Sequence, residues 1–181
     1  MSALLSVPRV LARVFAITSF GAVTSELVGI SFTGIPVGYL TAGRLVRVKL
    51  WGVSTNIAAA STLTLRLRMG TGAVNGVGGA ASSNAVIASV ALTTAAAAKT
   101  TVPWSYETNA AIYTLGATGS ALGQIGYSGG PAGAVVQAGV GLTAAATVNT
   151  TVANNLDFTI QPGNSTDITQ TSVHGGSIEL L

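Results

Sequence analysis

The chain has 181 residues, of which 49% are hydrophobic and only 7% are charged, and its formal net charge is +3. This composition excludes an intrinsically disordered protein, and eight basic residues are too few for a surface that contacts nucleic acid directly. The absence of cysteine excludes disulfides, thiolate metal sites and cysteine nucleophiles. A surface with so little charge is poorly protected against association, so we expect much of it to be covered in a larger assembly.

Residues 1 to 25 are predicted to form an N-terminal arm, either extended or a short helix, because their apolar residues follow neither the helical nor the strand period. Arg9 and Arg13 interrupt the apolar stretch, which departs from the order of residues in a signal peptide. The other long apolar window starts at Gly130 and is mainly alanine and glycine, which add little insertion energy. We therefore expect neither a signal peptide nor a membrane-spanning segment.

Residues 26 to 181 are predicted to form a single domain of strands. The stretch "LVGISF" from Leu27 is the first strand, and the glycines and proline of "GIPVGYLTAG" mark the turn that follows it. The next strand, "RLVRVKLWG", alternates apolar with polar residues, and Arg44 lies at its entry turn. One side of this strand carries Val46, Val48 and Leu50, and the other side carries Arg47, Lys49 and Trp51.

The stretch "TLTLRLRMG" repeats this alternation, with leucines and a methionine on one face and Arg66 and Arg68 on the other. We expect the basic residues of the two strands to share one outward face. In a chain with so few charges, this concentration is a candidate contact with an acidic partner surface, and a solvated face is the alternative interpretation. The candidate interface residues are Arg9, Arg13, Arg44, Arg47, Lys49, Arg66 and Arg68.

Further strands are predicted at "AVIASVAL", "KTTVPWSYET", "AAIYTLG", "AVVQAGVGL", "ATVNTTV", "NLDFTIQ" and "SIELL". In "NLDFTIQ", alternation places the apolar residues inward and Asp157, Thr159 and Gln161 outward. Glycine-rich stretches at residues 70–84 and 119–133 are predicted to be surface loops. Many strands without a long amphipathic helix indicate an all-β protein, an antiparallel β-sandwich of the jelly-roll type.

The stretch "GYSGG" matches the G-x-S-x-G nucleophile elbow around Ser128, and Asp157 or Asp167 and then His174 follow in the order of α/β-hydrolases. An elbow needs a strand-to-helix turn, whereas the glycines and proline after Ser128 favour a flexible loop. His174 is the only histidine, so one chain cannot form a multi-histidine metal site, and we expect it in an exposed turn. We therefore predict no enzyme, with no catalytic residue, metal or cofactor.

Two parts of the chain resemble segments common in structural proteins of tailed bacteriophages. They are "IPVGYLTAGRLVRVKLWGVSTN" with the following "LTLRLRMG", and the closing "TVNTTVANNLDFTIQPGNSTDITQTSVHGGSIELL". The resemblance covers about residues 24–181, and Arg44 departs from it, because an acidic or polar turn residue is more usual there.

This resemblance implies a jelly roll that assembles as a homotrimer. It implies a decoration or cement protein on the capsid exterior, in contact with itself and the major capsid protein. The alternative that it leaves open is a receptor-binding or fibre-tip module, in which the glycine-rich loops at residues 70–84 and 119–133 present the binding surface.

Overall fold

The computed structural model describes residues 9–14, 18–20, 24–56, 62–93, 99–129, 145–163 and 168–181. Eleven strands lie within these ranges, and they contain no helix. The strands are β1 (Arg9–Val14), β2 (Thr18–Phe20), β3 (Leu27–Ile35), β4 (Leu45–Asn56), β5 (Thr62–Gly70), β6 (Ala85–Thr93), β7 (Lys99–Thr114), β8 (Ser120–Gly129), β9 (Ala146–Thr147), β10 (Asn154–Pro162) and β11 (Ile168–Leu180).

The strands form two antiparallel sheets. The large sheet has the order β1-β11-β4-β7-β8-β9, with β2 also paired to β11, and the small sheet has the order β3-β10-β5-β6. The chain crosses from one sheet to the other several times, as between β4 and β5 and between β6 and β7. The predicted all-β, antiparallel sandwich is confirmed.

The core lies between the two sheets and follows the alternation of the strands. The inward residues of β4 and β5 are buried as predicted, from Val46 to Leu50 and from Leu63 to Met69. Phe158 of β10 is fully buried and meets the ring of Tyr106, which stacks on Trp104 with centroids 4.7 Å apart. Burial of such aromatic rings supplies much of the apolar area that stabilises a sandwich.

The N-terminal residues that the structure describes are extended. Strand β1 pairs with the last residues of β11, and β2 pairs with residues 171–173 of the same strand. Of the two conformations that the sequence left open for this segment, the described part therefore adopts the strand, and it belongs to the large sheet.

Two predictions about the large sheet were wrong, one about strands and one about a loop. The segments "KTTVPWSYET" and "AAIYTLG" form one strand, β7, of 16 residues. The predicted loop at residues 119–133 is a strand, β8, through Gly129. A Cβ at Gly123 would lie 2.7 Å from the Cβ of Ala88 in the opposite sheet, so this glycine permits close packing rather than a loop. The predicted strand at residues 134–142 lies outside the described residues.

The glycine-rich segment 71–84 is not a free surface loop, which corrects that prediction. It returns along the edge strand β3, where Gly78 N donates to Val28 O and Val28 N donates to Gly79 O, both at 2.8 Å. Buried Ser82 donates to Asp157 from its backbone N at 3.0 Å and from its hydroxyl at 2.6 Å.

The segment therefore covers part of the outer face of the small sheet. Asp157 and Thr159 point away from the core as alternation predicted, but both are fully buried beneath this cover and its neighbours. Alternation identifies the side of a sheet, whereas burial also depends on what lies over that side.

Candidate functional site

The two pairs of basic residues do not share a face, so that prediction was wrong. Arg47 and Lys49 lie on β4 of the large sheet, and Arg66 and Arg68 lie on β5 of the small sheet. Because the connection between β4 and β5 crosses the sandwich, the outward faces of these strands point in opposite directions. Alternation shows which residues face the core, but not which sheet a strand joins.

On the small sheet, the two arginines hold the carboxylate of Glu26. Arg68 donates from Nε at 2.8 Å and from Nη2 at 2.8 Å, and Arg66 donates from Nη1 at 2.9 Å. The Thr159 hydroxyl also donates to Glu26, and Arg68 donates to the carbonyl of Asn84 at 3.0 Å. We call these side chains the Glu26 cluster: Glu26, Arg66, Arg68 and Thr159.

The electrostatics of this cluster favour the charged forms of Glu26 and Arg68. Burial by itself would raise the pKa of Glu26, but hydrogen bonds from Arg68 and Thr159 and the charges of both arginines outweigh burial and lower it. The hydrogen bond to Glu26 raises the pKa of Arg68. Glu26 and the nearby Asp157, whose charge also raises the pKa of Arg68, place two negative charges beside those of Arg66 and Arg68. The two arginines therefore offer little attraction to an acidic partner.

On the large sheet, the ion pairs run across neighbouring strands. Arg47 donates from Nε to Glu179 at 3.0 Å, and this hydrogen bond lowers the pKa of Glu179. The ammonium of Lys49 lies 3.5 Å from the carboxylate of Glu107, and these side chains are 41% and 46% exposed. Exposed pairs of this kind are weak and exchange readily with other hydrogen-bonding partners.

The remaining predicted residues are separated. Arg13 of β1 is exposed on the outer face of the large sheet, in register with Ser177 and, through it, with Lys49. Among the described residues, Arg13 has no ion pair. Arg9 lies over the ring of Tyr39 at 4.7 Å, and Arg44 follows the turn at Gly43 directly before β4.

Trp51 stands on the outer face of the large sheet with half of its surface exposed. Its partner across the strands is Gly175 of β11. A Cβ added to Gly175 would lie 2.3 Å from Cζ2 and 2.7 Å from Cε2 of Trp51. The indole therefore lies against the backbone of Gly175, which only glycine permits, and no element among the described residues is paired over its other face. We call this arrangement the Trp51 platform.

Two shallow depressions flank the platform. One is lined by Lys49, Ser105, Glu107 and Gly126, and the other by Arg13, His174, Gly176, Ser177 and Glu179. The predicted exposed turn at His174 was wrong. This residue lies inside β11 at a shift of register between Val173 and Gly175, and it is partly buried.

Among the described residues, the hydrolase motif is not assembled around Ser128. This serine lies within β8, paired with Ser105, rather than at a strand-to-helix turn. The carboxylate of Asp157 is bound by Ser82 on the small sheet, whereas His174 belongs to the large sheet, and Asp167 lies outside the described residues. The described ranges contain no group of acidic and histidine residues that could hold a metal ion, and no helix that could cross a membrane.

One end of the sandwich is unusually apolar. Of the eight exposed large hydrophobic residues in the described chain, all except Trp51 lie at the end where β3 and β7 finish and β4 and β10 begin. This apolar end consists of Val10, Val37, Tyr39, Leu45, Tyr113, Leu115 and Val152.

The segments that carry the apolar end are joined by backbone hydrogen bonds. Gly43 N donates to Ile112 O at 2.8 Å, and Thr150 N donates to Gly116 O at 3.0 Å. These hydrogen bonds hold the turn before β4, the end of β7 and the turn before β10 side by side at this end of the sandwich. Sequence reasoning missed the apolar end, although apolar residues at turn positions such as Val37 and Leu115 were the available signal.

Comparison with protein-family models and with curated proteins finds no match to this chain. Among solved structures, the chain is similar to the CBM2 module of the evolved Dit of Lactobacillus casei BL23 phage J-1. The two share 18% sequence identity over 82% of this chain and 67% of the other, with a TM-score of 0.33. A likeness at this level does not extend to function.

Proposed function

We propose that this protein is a structural component of a phage virion, a decoration or cement protein that binds the exterior of the capsid. The proposal combines the sequence resemblance of residues 24–181 with the apolar end. Large apolar residues exposed together at one end of a domain are typical of an interaction site. Interfaces are depleted of charge at their centre, and the charged residues beside these apolar side chains are Arg9 and Arg44.

The charge at the apolar end favours a partner other than a second copy through the same surface. Arg9 and Arg44 lie beside the exposed apolar residues, and the acidic residues placed by the structure lie elsewhere or are paired. A two-fold contact through this end would bring like charges together. We propose the major capsid protein as its partner, and a homotrimer that forms through other surfaces.

Stabilisation of the shell would follow from mass action. A protein that binds the assembled shell and not its dissociated subunits shifts the equilibrium toward the shell. The apolar end supplies the binding energy, because burial of one large apolar side chain contributes about 1.5–3 kcal/mol.

The test measures binding to purified heads that lack this protein. We expect saturable binding and a higher temperature of DNA release from the heads. The double variant Val37→Asp with Leu115→Asp should weaken binding about a hundredfold, since two apolar contacts are lost. The matched control carries two aspartates away from this end, at the exposed positions Ala91 and Gln124.

The control should bind heads as the wild type does, and both variants should retain the fold. Equal loss of binding by the two double variants would show that added negative charge, not the apolar end, is responsible. Failure of the wild type to bind heads would overturn the proposal. Deleting residues 1–20 is a poorer test, because it removes β1 and β2 from β11.

A receptor-binding or fibre-tip module is the second candidate, and the Trp51 platform is the observation that favours it. Of the glycine-rich segments that this alternative used as its binding surface, 71–84 folds onto the small sheet and 120–129 is a strand. We therefore base this candidate on the Trp51 platform instead. Antibody labelling of intact virions separates the candidates: label on the head supports decoration, and label only on the tail or fibres supports the module.

We propose no enzymatic activity for this chain. Ser128 lies within a strand, a position that lacks the strand-to-helix turn of a nucleophile elbow. Labelling of Ser128 by a fluorophosphonate probe, abolished in Ser128→Ala, would contradict this.

A further inference from the structure

Trp51 occupies a place where a sandwich usually carries polar side chains. Strand β4 lies between β11 and β7 in the large sheet, so Trp51 projects from the middle of a sheet rather than from its edge. Its indole is held against Gly175 while half of the side chain is exposed. An aromatic ring fixed in this way presents one open face with little conformational freedom left to lose on binding.

The neighbours of Trp51 leave room for a ligand above the sheet. Ser105 is its partner on β7, and Gly126 lies one strand further on, beside Glu107. A Cβ at Gly126 would meet only the carbonyl of Glu107, at 3.5 Å. On the other side, Gly175 replaces any side chain. Because these neighbouring residues are small, no large side chain of theirs rises above the sheet beside the indole.

Polar groups border the platform on both sides. The Lys49–Glu107 pair stands on one side, and His174, Ser177 and Arg13 stand on the other. The carboxylates accept hydrogen bonds, the cations donate them, and the imidazole and hydroxyl do both. A ligand with many hydroxyl groups could satisfy this mixture, whereas a purely apolar ligand could not.

The charges of this face favour a neutral ligand. Arg47 is paired with Glu179 and Lys49 with Glu107, so two of the three cations here already face carboxylates. A polyanion such as nucleic acid needs many unpaired cations along its path. An acidic saccharide would likewise meet Glu107 and Glu179 beside the platform.

We propose that the Trp51 platform binds a neutral oligosaccharide. One pyranose ring would place its C–H face on the open side of the indole, as an aromatic partner with a large apolar surface allows. Its hydroxyls would hydrogen-bond to Lys49 and Glu107 on one side and to His174 and Ser177 on the other. Hydrogen bonds with one charged partner are stronger than neutral ones, which gives an exposed site useful affinity. The binding is non-covalent and does not depend on where in a virion the protein sits.

The test uses the full chain and four neutral oligosaccharide probes, built from glucose, galactose, mannose and N-acetylglucosamine. Titration is followed by calorimetry, with a sialylated oligosaccharide as the anionic comparison. We expect at least one neutral probe to bind. Trp51→Ala should weaken that binding at least about tenfold, equal to 1.4 kcal/mol. Tyr113→Ala, which removes another exposed aromatic ring at the apolar end, should bind as the wild type does.

Gly175→Ala is the second variant and keeps the tryptophan. The added methyl group would occupy the space of the indole and displace it from the sheet, so binding should again fall at least about fivefold. Three results would overturn the proposal: binding of none of the neutral probes, binding unchanged in Trp51→Ala, or binding of the sialylated probe alone. None of them bears on capsid attachment, which is tested separately at the apolar end.

Discussion

On the small sheet, Arg66 and Arg68 close on Glu26, whose side chain is only 14% exposed. On the large sheet, Lys49 and Glu107 face each other across two strands with side chains 41% and 46% exposed. Both arrangements arise from basic residues at alternate positions of a strand. The cluster around Glu26 is largely buried, whereas the Lys49–Glu107 pair is exposed to solvent.

The difference comes from what lies over each face. Segment 71–84 covers part of the small sheet, and the Ser82–Asp157 hydrogen bonds attach it there. The carbonyl of Asn84, at the end of the same segment, accepts from Arg68. In the described chain, no comparable segment lies over Trp51. Identical patterns of alternation can thus give a largely buried ion cluster on one sheet and an exposed ion pair on the other.

The largest effect is expected inside the large sheet, at Gly52→Ala. The new Cβ would lie 1.8 Å from the carbonyl oxygen of Ser172 and 2.5 Å from Trp104. Since the first of these atoms is backbone, β4 and β11 would have to separate, and we expect a loss of stability above about 4 kcal/mol or failure to fold. Denaturant unfolding measures it.

The matched control for this substitution is Gly126→Ala on the outer face of the same sheet. The nearest atom to its new Cβ is 3.5 Å away, an ordinary contact, so the free energy of unfolding should change by less than about 1 kcal/mol. Similar losses for both variants would mean that the large sheet is as tightly constrained on its outer face as on its inner face. That result would contradict our description of the outer face as open.

The next effect concerns the two acidic residues that define the comparison. Glu26→Ala leaves two partly buried arginines without the carboxylate to which they donate hydrogen bonds, and should reduce the free energy of unfolding by about 3 kcal/mol. Glu107→Ala removes an exposed pair and should cost less than about 1 kcal/mol. Equilibrium unfolding in urea at neutral pH measures both. Equal costs would show that the cover over the small sheet does not alter the strength of its ion pairs.

Strand period was sufficient to predict much of the fold. The buried sides of β4 and β5 follow directly from the alternation at Val46–Leu50 and Leu63–Met69. A two-residue period requires only local information, because successive side chains point to opposite faces of a strand. The sandwich itself also followed, since many such strands without amphipathic helices have few other ways to bury their apolar sides.

The candidate sites needed long-range information that no local pattern contains. Glu26 meets Arg68 from 42 positions away, and the pairing of Trp51 with Gly175 depends on the register of β4 against β11. The two-residue period of a strand does not show which sheet β5 joins. It also does not show that segment 71–84 returns along β3. The glycines were misinterpreted because their frequency suggests loops. Gly123 instead permits close packing against Ala88 of the opposite sheet, and Gly175 permits the indole of Trp51 to lie against the backbone.

The contribution of the Glu26 cluster to the free energy of unfolding should depend on pH in the acid range. The pKa of Glu26 is lowered in the folded chain from its ordinary value of 4.5. A carboxylate of this kind adds stability above that value, and the added stability is lost as pH falls through the folded pKa. The free energies of unfolding of the wild type and Glu26→Gln should therefore differ at neutral pH and converge as the pH falls below 4.5 and through the lowered pKa of Glu26. Glu179 remains in both proteins, so its own acid response cancels in the comparison. A constant gap between the two curves would show that the carboxylate charge of Glu26 does not contribute.

The smallest effect is expected for Trp51→Ala. A buried tryptophan costs about 3–5 kcal/mol when it is replaced by alanine, because a cavity remains. Trp51 is half exposed and lies against Gly175 on the outer face of the sheet, so we expect a loss below about 1 kcal/mol in urea unfolding. A small loss would mean that the fold hardly depends on this ring, which is the condition for a side chain kept for binding. A loss near that of a buried tryptophan would make the ring structural, and the large sheet would then be closed on its outer face as the small sheet is.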